Sequence, residues 1–115
     1  MATEKINYIE LPATDIEGTK QFFAKAFGWE FIDYGPDYAA ISGAGLDGGF
    51  YKSALRATTE TGSALVVLYS TDLETSLGNV KNAGGKVVKP IFSFPGGRRF
   101  HFTDPSGNEY AVWSE

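Results

Sequence analysis

Hydrophobic and polar positions follow two periods along this chain, and each period occurs twice. Lys5-Ile6-Asn7-Tyr8-Ile9-Glu10-Leu11 carries β-branched and aromatic residues up to Pro12, the pattern of a strand that ends at a proline. Asp15 is a good helix N-cap. Ile16, Phe23 and Phe27 then share one helical face, Lys20 and Lys25 lie off it, and Gly28 closes the helix. In the second half, residues 64–69 read as a strand, Asp72 as the cap, Leu73, Leu77 and Val80 as the apolar stripe, and Gly84-Gly85 as the stop. Short strand-like runs follow each helix: 29–34, 38–42 and 49–52 in the first half, and 86–89, 98–103 and 109–113 in the second. Gly35-Pro36-Asp37, Gly43-Ala44-Gly45 and Asp104-Pro105-Ser106-Gly107-Asn108 supply turn chemistry between them. The order is β-α-β-β-β, twice, with residues 53–63 as the join.

The two halves also echo each other in sequence. Thr14-Asp15-Ile16-Glu17 returns half a chain later as Thr71-Asp72-Leu73-Glu74, and Ala26 and Gly28 return as Ala83 and Gly85. The reading is an α+β chain forming a single domain over 1–115, with one βαβββ module at about 5–52 and a second at about 63–114. A sheet covered by one helix leaves its other face open, so two modules are expected to form a cupped mixed sheet with helices outside and a concave site inside.

Composition narrows the chemistry. The 115 residues carry 10 basic and 14 acidic side chains, a net charge of −4, which gives no general attraction to nucleic acid. There is no cysteine, so disulfides, thiolate metal sites and thiol nucleophiles are excluded. The single histidine, His101, excludes a two-histidine metal site within one chain. No apolar run is long enough for a transmembrane helix, and Met1-Ala2-Thr3-Glu4-Lys5 lacks the pattern of a secretory signal, so a cytoplasmic protein without membrane partners is expected. Aromatics reach 15%, enough to fill a small core or line a cavity.

Three segments resemble one known family. Pro12-Ala13-Thr14-Asp15-Ile16-Glu17 with Phe22-Phe23 and Phe27-Gly28-Trp29 resembles the first module of the vicinal oxygen chelate superfamily, the group of glyoxalase I, extradiol dioxygenases, and bleomycin and fosfomycin resistance proteins. Ala83-Gly84-Gly85-Lys86-Val87 and Phe102-Thr103-Asp104-Pro105-Ser106-Gly107-Asn108 resemble parts of its second module. The resemblance implies paired modules and a homodimer. Metal-dependent members place a His, Glu or Gln on the first and last strand of each module. Those slots fall here at Tyr8, around residues 48–50, at Leu65 and at Ala111, none of which is a usual ligand for a divalent cation. The expectation is therefore no metal cofactor.

Strand alternation, anchored on Tyr8 in its slot, sorts the cup. Tyr8, Glu10, Leu65, Val67, Tyr69, Arg99, His101, Thr103, Ala111 and Trp113 face the hollow, and Ile9, Leu11, Phe100, Phe102, Tyr110 and Val112 face the helices. Tyr8, Glu10, Leu65, Val67, Arg99, His101, Ala111 and Trp113 are the candidate ligand-binding residues. Two functions follow. One is a binder of an aromatic or partly apolar small molecule. The other is a glyoxalase-related lyase or isomerase, with Glu10 and His101 as the acid–base pair or with a metal site that these slots do not reveal. Glu10 could equally be half of a structural ion pair with Arg99, and of Arg98-Arg99 only one can point inward. Gly43-Ala44-Gly45-Leu46-Asp47-Gly48 fits a dinucleotide fingerprint on paper but opens no helix. Residues 93–97 read as a loop at the cavity mouth.

Overall fold

The capping aspartates set both helices. The Asp15 carboxylate accepts the N–H of Gly18 at the start of α1 (Ile16–Phe27), and the Asp72 carboxylate accepts that of Thr75 at the start of α2 (Leu73–Asn82). Gly28 ends α1 in the left-handed conformation, φ 73°, with its N–H on the Ala24 carbonyl. These features come from a computed structural model that describes residues 3–115. Met1 and Ala2, the head of the segment read for a secretory signal, lie outside it.

Eight strands flank the helices: β1 (Tyr8–Ala13), β2 (Glu30–Asp33), β3 (Tyr38–Ser42), β4 (Asp47–Lys52), β5 (Val66–Tyr69), β6 (Lys86–Phe94), β7 (Gly97–Thr103) and β8 (Glu109–Ser114). They form two four-stranded mixed sheets, ordered β1-β4-β3-β2 and β5-β8-β7-β6. In each, the strand before the helix pairs in parallel with the last strand of its module. The fold is α+β with two similar modules, and no backbone ladder joins the two sheets. No helix among the described residues is long and apolar enough to cross a membrane.

Several boundaries differ from the sequence pattern: β1, β4 and β5 begin at Tyr8, Asp47 and Val66 rather than at 5, 49 and 64, and three further differences have clear causes. β1 runs through Pro12 to Ala13, because β1 is an edge strand and a missing N–H costs nothing on the open side. β6 extends to Phe94 past two irregularities in its pairing with β7, between Val87 and Lys89 and between Lys89 and Phe92. Residues 93–97 are the tip of the β6–β7 hairpin rather than a free loop, with Gly96 at φ 121° in the turn.

One apolar core serves both modules. Phe22 and Phe23 of α1 are buried against Phe50 of the first sheet and Phe102 and Tyr110 of the second, and Trp29 stacks on Phe23 at 4.4 Å. Phe100, Phe102, Tyr110 and Val112 line the helix-side face of the second sheet as alternation requires, all fully or almost fully buried. The closing hairpin of the second module then reaches into the first. Asn108 donates to the Pro12 carbonyl at 2.6 Å and accepts the Ala57 N–H at 2.9 Å, while the Ser106 hydroxyl accepts the Asp15 N–H and meets the Thr19 hydroxyl. Asp104 holds this turn by accepting from Ser106, Asn108 and the Tyr110 hydroxyl; burial nonetheless raises its pKa above the ordinary value.

Candidate functional site

Each sheet turns one face to its helix, and the predicted site residues other than Leu65, which precedes β5, fall on the two opposite faces. On the first sheet, Glu10 of β1 stands opposite Gly49 of β4. A side chain at Gly49 would overlap the Tyr38 phenol, so glycine there is what lets Tyr38 lie across the strand. Tyr38 donates to Glu10 at 2.9 Å and meets the Tyr8 hydroxyl at 2.5 Å. Burial, then the bonds to Tyr8 and Glu10, push the Tyr38 pKa well above the ordinary phenol value. Glu10 therefore finds its partner in Tyr38, not Arg99.

The open face of the second sheet is built from β7 and β8, where Arg99, His101 and Thr103 stand opposite Trp113, Ala111 and Glu109. His101 is 1% exposed. Its Nδ1 lies 2.7 Å from Glu109, whose other oxygen accepts the Thr59 N–H and hydroxyl at 2.9 and 2.8 Å. Burial alone would raise the Glu109 pKa, but the bonds from His101 and Thr59 outweigh it and hold the carboxyl below its ordinary value. The carboxylate beside the histidine is thus Glu109 rather than Glu10. The His101 Nε2 is buried and has no hydrogen-bond partner.

Arg98 and Arg99 diverge as strand geometry requires. Arg98 makes a two-pronged ion pair with Glu74 of α2, at 2.8 and 3.2 Å. Arg99 turns to the open face, where its guanidinium carbon lies 5.4 Å from the Phe92 ring and 5.5 Å from the Phe94 ring. Its Nε is buried and unpartnered. Val67, Phe94, Pro95, Gly96, Arg99 and Trp113 line a shallow, open pocket of about 380 Å³.

Of the eight candidates, Val67, Arg99 and Trp113 meet in this pocket, and Tyr8 and Glu10 meet on the other sheet. Leu65 lies in a larger apolar cleft of about 980 Å³ between the free edges of β1 and β5, backed by Phe27, Trp29 and Tyr110. That cleft is also lined by Ala26 of α1 and Asn79 of α2, and it shares Val67 with the smaller pocket, which holds Arg99. Tyr38, Phe92 and Glu109 were not singled out from the sequence. Glu109 was within reach, since alternation puts it on the same face as Ala111.

The four slots that the family resemblance marks are occupied as follows. Leu65 and Ala111 present only hydrocarbon, Phe50 and Ala111 are fully buried, and the space over Gly49 is filled by Tyr38. The remaining slot offers the Tyr8 hydroxyl, already bonded to Tyr38. Among the described residues, no three His, Cys, Asp or Glu side chains cluster.

Comparison with known proteins agrees with this architecture. The chain superposes on a glyoxalase-related enzyme from Fulvimarina pelagi with a TM-score of 0.81 at 18% identity, covering 98% of this chain and 89% of that one. It matches the genomically encoded fosfomycin resistance protein of Listeria monocytogenes with a TM-score of 0.81 at 17% identity, covering 99% and 95%. An antibiotic-binding protein from Streptomyces sp. CB03234 matches with a TM-score of 0.71 at 20% identity, covering 99% and 98%. At these identities the likeness is one of fold. No curated protein matches the sequence. The family profile described as Glyoxalase/Bleomycin resistance protein/Dioxygenase superfamily matches residues 5–112, and the chain belongs to that superfamily.

Proposed function

We propose that this protein binds an aromatic or partly apolar small molecule on its open sheet faces, without the metal centre used by the enzymes of its superfamily. The observation that carries this reading is the contrast on the second sheet. Ala111 fills a metal slot with a buried methyl group, while Val67, Arg99 and Trp113 beside it line an open pocket. The antibiotic-binding neighbour from Streptomyces supports the reading as a precedent for antibiotic binding on this fold.

Native mass spectrometry of the protein purified from its producing cells, and again after dialysis against Ni²⁺, Mn²⁺, Zn²⁺ and Fe²⁺, tests it. The expected result is a retained organic molecule, or none, with metal below stoichiometric level. One tightly held ion per chain would overturn the metal-free reading.

A homodimer fits the same reading. β1 and β5 are sheet edges, and Ile6, Val67 and Tyr69 stand exposed beside the cleft between them, a surface that a second copy would cover. Sedimentation equilibrium giving twice the chain mass at micromolar concentration is the expected outcome, and a monomer would remove it.

A second reading, acid–base catalysis of lyase or isomerase type, is favoured by one observation: the unpartnered His101 Nε2 backed by Glu109. Turnover of the hemithioacetal of methylglyoxal and glutathione, abolished by His101→Gln, would establish it. Absence of turnover with ligand binding intact would leave the binding reading alone.

A further inference from the structure

We propose that Arg99 makes the second-sheet pocket a subsite for a flat aromatic anion, a carboxylate or sulfonate borne on one or two fused rings. This deepens the small-molecule reading above and rests on it. The argument starts from charge. A guanidinium keeps its proton at every accessible pH, so its charge must be answered by an acidic side chain, by water or by a ligand. The chain has 14 acidic residues against 10 basic ones, yet no carboxylate lies within ion-pair distance of Arg99 among the described residues. Its neighbour Arg98 shows the alternative, a two-pronged pair with Glu74.

Arg99 is also held in place. The Phe92 and Phe94 rings flank the guanidinium, at 5.4 and 5.5 Å, and restrict its rotamers before any ligand arrives. Binding then loses less side-chain entropy than it would at a mobile surface arginine. The Nε is closed off from solvent, whereas the terminal nitrogens of the half-buried side chain make no hydrogen bond to the protein, so a carboxylate or sulfonate would bond end-on to that pair.

The walls specify the rest of the ligand. Val67, Pro95 and Trp113 are apolar or aromatic, and Trp113 packs on Tyr69 at 5.0 Å and near Phe94 at 6.3 Å. A pocket of about 380 Å³ lies near the lower end of the range for small-molecule sites and suits a planar ring system laid against the indole.

The test uses two fluorescent probes of matched shape: anilinonaphthalene sulfonate, an anion, and phenylnaphthylamine, its uncharged counterpart. Each is titrated into the full-length protein, following probe emission and quenching of Trp113. The wild type is expected to bind the sulfonate about tenfold or more tightly than the amine, with quenching lost in Trp113→Phe. Arg99→Met is expected to erase that preference while leaving the amine within about twofold. The wild-type preference should also shrink as salt is raised, which needs no variant to fold. Cooperative urea unfolding of each variant excludes probe binding to a loosened core. Equal wild-type affinities for the two probes, or a preference that survives Arg99→Met, would overturn the anion subsite while the binding reading stands. Failure of both probes to bind and quench Trp113 would overturn both.

Discussion

The two open sheet faces share a topology and differ in how their polar groups are answered. On the first, Tyr8, Tyr38 and Glu10 form a closed set in which each side chain bonds to another. On the second, Arg99 and His101 each keep a buried nitrogen without a partner. A buried polar atom left unsatisfied costs roughly 1–3 kcal/mol, and a fold retains such a cost most readily where something outside the chain removes it. The pair of modules thus separates two tasks that a single sheet would have to combine. One face holds itself together, and the other keeps its hydrogen-bonding capacity in reserve.

The contrast can be broken most forcefully at Glu109. Glu109→Ala strips His101 of its one partner and leaves the Thr59 N–H without an acceptor, so urea denaturation should show a loss of about 3 kcal/mol. A loss under about 1 kcal/mol would mean that this carboxylate does not hold the second face. On the first face, Gly49→Ala drives a methyl group into the Tyr38 phenol and should cost about 2 kcal/mol. Adding Tyr38→Ala should recover part of that loss, and strict additivity would show that the two residues do not touch.

Truncations that keep the shape sharpen the comparison. Tyr38→Phe removes the donor to Glu10 and should cost about 1 kcal/mol, whereas Arg99→Met removes a buried nitrogen without a partner and should leave stability unchanged or raise it by about 1 kcal/mol. Equal costs would erase the distinction between the faces. The smallest effect is in pH. Glu109 titrates below its ordinary value of 4.5 in the fold, so its stabilising contribution is complete above that value and fades as pH falls through the folded pKa. The stability gap between wild type and Glu109→Gln should therefore be widest near neutrality and narrow in acid. Asp104, whose raised pKa acts in the opposite sense, is common to both proteins and cancels.

Much of the fold was legible because its signals are local. Asp15 and Asp72 cap what they were expected to cap, Gly28 ends its helix, and alternation placed Phe100, Phe102, Tyr110 and Val112 on the helix side. The strand through Pro12 was not legible, because whether a proline is tolerated depends on having an open edge beside it, which is a property of the assembled sheet. The long β6 was hidden by its bulges. In the site, alternation turned one arginine of the pair inward, and Arg99 rather than Arg98 takes that place. Tyr38 could not be found this way. It faces Tyr51 in register and reaches Glu10 only by crossing the gap at Gly49, so three strands must be in place before the contact exists.

The hairpin at residues 104–108 has a consequence for how the molecule can be cut. Its Ser106 and Asn108 bond to groups of Asp15, Thr19 and Pro12, so each module lends the other hydrogen bonds it would lack alone. A break in the segment 53–63 severs the chain without releasing either piece. Fragments 3–57 and 58–115 should accumulate as folded material when produced together and stay insoluble apart, as their solubility on separate and joint expression would reveal.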